Sequence, residues 1–252
     1  MLKIYLVQME AVLNDKTANF RKVRQLLDEC NPRDGLIILP EMFATGYIPE
    51  EPAKYAEDFG HADAGLTANF LSTLADETGC AVLGAGISTV PNKGQNAPLM
   101  QNHSSLYLPG RKEEAACYNK RKPFFPEVDF IPGDSVSLFK INQWNVAAAI
   151  CYDLRFPELF RDAVKAGARL ITIQAAWPVI RKEHWITLLK ARAIENQVYV
   201  AAANQYGNSM IISPTGEVIA QGEMGEKVIQ GTILSAPQEE YRKAFPVLKG
   251  IV

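Results

Sequence analysis

Three side chains of contrasting chemistry stand where apolar runs give way to polar ones: Glu41 after GLIILP, Lys120 within CYNKRKPF, and Cys151 after VAAAI. A thiol, a carboxylate and an ammonium together can supply a nucleophile, a general base and an oxyanion donor. Each also has a plainer reading. Cysteine is a small, commonly buried hydrophobe, so Cys151 alone reads as core filling. Most glutamates are solvated loop carboxylates, and Lys120 shares a basic cluster with Arg121 and Lys122. Position favours chemistry. A carboxylate directly after a fully apolar strand is partly desolvated, which suits a base. A lysine turned inward lowers a thiol's pKa and stabilises an oxyanion. The strand–turn–helix bend at Cys151 turns backbone N–H groups toward developing charge, although a GxSxG elbow is absent.

Histidine, the usual partner of a catalytic thiol, is scarce. His61 lies in the polar stretch GHADAG, His103 opens a strand, and His184 sits among Arg181, Lys182 and Glu183 near a helix start. None stands at a strand end as the other three groups do.

The elements that must position these groups alternate along the chain. LKIYLVQM reads as a strand, and residues 17–30 carry helical periodicity through Phe20, Val23, Leu26 and Leu27. GLIILP is continuous and apolar, as a strand covered on both faces would be. Residues 66–79 read as helix, CAVLGAGIST as strand, and SSLYLPG with EEAACYNK as a hairpin around Pro109-Gly110. SLFKINQWNVAAAIC offers two strands joined by an Asn-rich turn. PELFRDAVKAGA is an amphipathic helix closing at Gly167, followed by strand RLITIQAAW, helix HWITLLKARAIENQ and strand VYVAAANQYG. SMIISPTGEVIA is a hairpin turning at Pro214-Thr215-Gly216. Strands outnumber helices, and hairpins mix with βα units. The pattern predicts one α/β (α+β) domain over residues 1–252, with sheets between helical layers and no internal repeat.

Composition narrows the partners. A formal net charge of −2 and no long basic run give nucleic acid no electrostatic footing. Cys30, Cys80, Cys117 and Cys151 are scattered without CxxC or metal-like Cys/His spacing, so neither metal nor cofactor is expected. The apolar start is too short for a secretory signal, and no run approaches the ~20 residues of a membrane span. These features predict a cytoplasmic protein with free thiols and no membrane partner.

Together, Glu41, Lys120 and Cys151 in these contexts resemble the carbon–nitrogen hydrolase (nitrilase) superfamily. LPEMF is similar to its glutamate motif, YNKRKPF to its lysine motif and AICYDLRFPE to its cysteine motif. AAWP, HWITLLKARAIENQVYVAAANQYG and GNSMIISPTGEV extend the likeness over nearly the whole chain. The resemblance implies a four-layer α-β-β-α sandwich. It also implies attack by Cys151 on an amide or nitrile carbon, proton transfer by Glu41, and an oxyanion held by Lys120 and the Tyr152 N–H. A second glutamate of the family falls on Glu127 in FFPEVDFIPG, with Asp129 in reserve because Pro123 and Pro126 depart from the common form. A homodimer is implied too, with PELFRDAVKAGA and the closing segment (Phe245, Val247, Leu248, Ile251, Val252) as its surfaces.

Within the superfamily, CYDLRFPE, the WPVIR–HW spacing and the EYRKAFPVL ending look most like the 2-oxoacid ω-amidases. Such a substrate needs a cation for its far carboxylate, and Arg155 and Arg181 lie near the relevant loops. Trp177 would wall the pocket. Each of the three also has a structural reading, as an ion-pairing or core residue. The alternatives are an amidase on deaminated glutathione, an N-carbamoyl-amine hydrolase, a redox-sensor thiol and a silent scaffold of the same fold.

Overall fold

The computed structural model describes residues 1–90 and 99–250. Its strands form two six-stranded sheets. The first contains β1 (Leu2–Gln8), β2 (Gly35–Ile38), β3 (Ala81–Val90), β4 (Leu99–Tyr107), β5 (Ala116–Asn119) and β12 (Lys227–Ile233), in the order β12-β1-β2-β3-β4-β5. The second contains β6 (Leu138–Ile141), β7 (Trp144–Ile150), β8 (Leu170–Ala175), β9 (Tyr199–Asn204), β10 (Met210–Ile212) and β11 (Val218–Gln221), in the order β11-β10-β9-β8-β7-β6. Helices α1 (Lys16–Asp28), α2 (Leu66–Thr78), α3 (Pro157–Lys165), α4 (Lys182–Asn196) and α5 (Ser235–Ala244) complete the chain.

Alternation along the strands builds the layers. Ile4, Leu6, Ile38 and Leu83 of the first sheet join one core with the second sheet and with Leu159, Phe160 and Leu189 of α3 and α4. Their neighbours Tyr5, Val7, Ile37 and Val82 face the other way and pack on Val23 and Leu27 of α1 and Leu71 and Leu74 of α2. The period of two puts both faces under cover, giving the order helices, sheet, sheet, helices. Each such side chain contributes roughly 1.5–3 kcal/mol when fully buried. Val146 to Ala149 of β7 share one buried core with Leu159, Phe160, Ala163 and Val164 of α3.

The helix ends follow local chemistry. Asp15 caps α1 by accepting the Ala18 N–H at 2.9 Å, and α2 stops at Gly79, whose φ of 66° suits glycine. Two elements go beyond the sequence reading. β12 pairs antiparallel with β1 over its whole length, and α5 docks through Gln238, whose Nε2 donates to the Arg169 and Gln197 carbonyls at 2.9 and 3.0 Å. His103 does not open a strand. It lies buried in the middle of β4 because the strand starts at Leu99. Of the closing segment, Ile251 and Val252 lie outside the described residues.

Candidate active site

Both sheets carry three parallel strands, β1-β2-β3 and β7-β8-β9. Their carboxyl ends lie at one end of the sandwich, where open α/β sheets gather polar groups. Glu41 follows β2, Lys120 follows β5, Cys151 follows β7 and Ala176 follows β8. Glu41, Lys120, Glu127 and Cys151 are 0, 1, 3 and 8% exposed, so water does little to screen them from one another.

Lys120 Nζ lies 2.9 Å from Glu41 Oε1 and 2.8 Å from Glu127 Oε1. Asn102 Nδ2 donates to the same two oxygens at 2.8 and 2.9 Å, which fixes the carboxylates on either side of the ammonium. Backbone amides hold their other oxygens: the Ala176 N–H donates to Glu41 Oε2 at 3.0 Å and the Phe124 N–H to Glu127 Oε2 at 2.6 Å. Asp129, the reserve carboxylate, is exposed. Desolvation opposes the Lys120 charge, but Glu41, Cys151 and Glu127 outweigh it and hold its pKa above the ordinary lysine value. Burial raises the Glu127 pKa against the pull of Lys120.

Cys151 sits at φ 44°, in the left-handed region, between extended Ile150 and a 3-10 turn over Cys151–Arg155. Met42, next to Glu41, is left-handed as well at φ 48°. Each costs about 1–2 kcal/mol for a side chain with a Cβ, strain typical of functional bends. The thiol pKa is driven well above its usual value, first by burial and then by the charge of Glu41. Lys120 and the Ala176 amide pull the other way without prevailing. The sequence expectation of a lowered thiol pKa is therefore reversed: the thiol is held protonated by burial and the nearby Glu41 charge.

A cleft of about 540 Å³ opens over Cys151, walled by Tyr47, Phe124, Tyr152, Trp177 and Tyr206. Arg155, half-buried, stacks with its guanidinium carbon 4.6 Å from the Trp177 ring centroid and 6.0 Å from that of Tyr152. Trp177 is buried and its Nε1 donates to the Arg181 carbonyl at 2.9 Å. The Arg181 side chain is exposed at the rim. Of the proposed catalytic and binding residues, Cys151, Tyr152, Arg155, Trp177 and Arg181 line this cleft, and Glu41, Lys120 and Glu127 cluster beside it; Asp129 does not join them.

Sequence reasoning missed Asn102, Asp153 and the Ala176 amide. Asn102 reads as an ordinary polar residue in MQNHSS, and a backbone N–H leaves no letter in the sequence. Asp153 stood inside the cysteine motif without a role. It is fully buried and ties the Cys151 bend to the Lys120 loop.

Comparison with known proteins gives the class and then the family. A protein from Xanthomonas campestris, described as a CN-hydrolase superfamily member with an arsenic adduct in its active site, superposes with a TM-score of 0.86 at 29% identity, covering 99% of this chain and 96% of that one. Nit3 of Saccharomyces cerevisiae, a nitrilase superfamily member, shares the fold with a TM-score of 0.83 at 24% identity, over 97% and 94% of the two chains. In sequence, the omega-amidase YafV of Escherichia coli (strain K12) is 32% identical over 97% of this chain and 94% of its own. A 2-oxoglutaramate amidase of Bacillus subtilis (strain 168) is 26% identical over 97% and 95%. These define a hydrolase with the nitrilase-like sandwich fold. The carbon-nitrogen hydrolase profile matches residues 3–243, and the chain belongs to that family as a hydrolase acting on carbon–nitrogen bonds of linear amides.

Proposed function

We propose that this enzyme hydrolyses the terminal amide of a short 2-oxoacid ω-amide, of the 2-oxoglutaramate or 2-oxosuccinamate type, through a thioester on Cys151. The observation that carries this reading is the buried Glu41–Lys120–Glu127 cluster beneath a strand-end thiol. Burying a lysine with two carboxylates costs several kcal/mol per ion before their attraction is counted. A silent scaffold has no use for that arrangement.

In the proposed reaction Sγ attacks the amide carbon while Glu41 takes the thiol proton. Lys120 Nζ and the Tyr152 N–H hold the oxyanion; losing one such donor raises the barrier by about 3 kcal/mol. Glu41 passes the proton to the amide nitrogen, the C–N bond breaks and ammonia leaves. Water, deprotonated by Glu41, then attacks the thioester, the C–S bond breaks, and sulfur recovers its proton. Glu127 and Asn102 keep Lys120 and Glu41 aligned.

Arg155 supports the substrate assignment. No carboxylate of the described residues forms a salt bridge with it, and its stacking on Trp177 leaves the guanidinium edge for a carboxylate. Arg181 adds positive charge at the rim, and Trp177 walls the acyl chain.

Ammonia release across short ω-amides, deaminated glutathione and N-carbamoyl amines tests the reading. The 2-oxoacid ω-amides are expected to give the highest kcat/KM, and preference for either other class would redirect it. Cys151→Ala is expected to lower ammonia release at least a thousandfold with an unchanged circular dichroism spectrum. Arg155→Met is expected to raise KM for 2-oxoglutaramate at least tenfold with little change in kcat. An unchanged KM would remove Arg155 from substrate binding.

A further inference from the structure

A second cluster of reactive side chains lies on the face of β4 and β5 turned away from the cleft. Antiparallel pairing sets His103 opposite Asn119 and Ser105 opposite Cys117. Alternation puts these four on one side of the sheet. Asn102, Ser104 and Tyr118 point to the other, where they bond Glu41, Gln174 and Asp153. Glu114, on the returning limb of the hairpin, brings Oε1 to 2.7 Å from His103 Nε2, and its carboxylate faces the Cys117 thiol. A His103 ring nitrogen, a Glu114 carboxylate oxygen and the Cys117 Sγ all lie within 4.8 Å of one another.

Two further observations point to a ligand. His103 Nδ1 is 2.7 Å from Asn119 Oδ1, a contact that holds the ring with Nε2 aimed at Glu114. Such an outer hydrogen bond is what orients metal-binding histidines. The second observation is Ser105: it is fully buried, and its Oγ has no hydrogen-bond partner among the described residues.

We propose that His103, Glu114 and Cys117 bind one zinc-class divalent cation, with a water in the fourth position held by Ser105. One nitrogen, one oxygen and one sulfur ligand suit zinc better than the all-oxygen shells of magnesium or calcium. Zinc bonds of about 2.0–2.3 Å require the His103–Glu114 contact to open by only about 0.6 Å. The incoming ion displaces the thiol proton to solvent, and the Glu114 carboxylate and Cys117 thiolate then balance its two positive charges, so the partly buried pocket holds no excess charge. The side chains of His103 and Glu114 are 8 and 14% exposed, which leaves an entry past Glu114. Glu114 and Cys117 are close in sequence, but only strand pairing brings in His103, so the spacing shows no metal motif.

The site is separate from the proposed reaction. It clips the hairpin in which Asn102 precedes His103 and Lys120 follows Asn119, so its expected effect is on the hairpin's stability. Chelator-stripped Cys151→Ala protein, in which the catalytic thiol cannot ligate, is titrated with Co²⁺. The expected result is one Co²⁺ per chain, with a thiolate-to-cobalt charge-transfer band and the visible bands of four-coordinate cobalt, displaced by Zn²⁺. Adding Cys117→Ser or His103→Gln is expected to abolish the bands, and Glu114→Gln to weaken binding at least tenfold, with folding checked by circular dichroism. Zinc-edge X-ray absorption on the zinc-loaded Cys151→Ala protein, with all three ligands intact, is expected to show one sulfur among nitrogen and oxygen neighbours. No thiolate band, a band that survives both added variants, or a zinc shell with no sulfur or with two would overturn the proposal.

Discussion

Asp153, two residues past the thiol, brackets the two loops that carry the proposed nucleophile and lysine. One of its oxygens accepts the Ile150 N–H at 2.9 Å and the Tyr118 hydroxyl at 2.8 Å; the other accepts the Lys122 N–H at 2.9 Å. Burial outweighs these donors and pushes its pKa up to about 6. A carboxyl whose folded pKa is raised binds its proton more tightly in the fold than in the unfolded chain. Its contribution to stability is therefore fully present below about 3.9, the unfolded value, and is lost as pH rises through about 6. Activity runs the opposite way. A protonated Asp153 must turn a donor toward groups that are themselves donors, loosening the bracket. Turnover is expected to fall as pH drops through about 6 while the far-ultraviolet circular dichroism stays native. A flat rate profile over that window would show that Asp153 does not hold the loops.

At the scale of elements, the end of β5 is set by a close approach. The Gly133 N–H donates to the Lys120 carbonyl at 2.9 Å, and a Cβ at Gly133 would collide with the Asn119 carbonyl. Gly133→Ala must push β5 away and carry Lys120 out of line with the two carboxylates. The expected cost is about 1–3 kcal/mol in stability, with at least a tenfold drop in kcat, read by thermal melting and ammonia release. What was legible in the sequence divides along the same line. Glu41, Lys120 and Cys151 stood out because each follows a strand whose hydrophobic run announces it. Asn102 did not, because it becomes a partner of Glu41 only when β4 lies across β3 from β2. β12, with sequence KVIQGTI, was passed over for a related reason. Its alternation is weak, and it gains its place by pairing with β1 at the far end of the chain. Local pattern reveals elements; it does not reveal which distant elements meet.

For the whole molecule, the two sheets carry one pattern of strand directions. Read as β12-β1-β2-β3-β4-β5 and as β6-β7-β8-β9-β10-β11, each runs antiparallel, parallel, parallel, antiparallel, antiparallel. No sequence repeat announces this. Glu41 after β2 and Ala176 after β8 occupy matching positions, and they touch through the bond from the Ala176 N–H to Glu41 Oε2. The cleft is thus a seam to which each sheet contributes one lip. Beyond the second sheet, Ile194 near the end of α4 and Phe245 and Val247 past α5 are exposed apolar groups, and Gln197 Nε2 bonds the Phe245 carbonyl, which keeps them close together. The resemblance implies a homodimer through PELFRDAVKAGA and the closing segment, whose Phe245 and Val247 are exposed; sedimentation velocity is then expected to give twice the chain mass, and a monomer at micromolar concentration would exclude it. The cluster beneath the thiol has one last consequence, for the fate of the product. One ammonium there serves two carboxylates. A neutral amide can settle beside them, but hydrolysis turns it into a third anion in the same small space. On the proposed reading, release is driven by the reaction itself, and the pocket that accepts the amide repels the acid it makes.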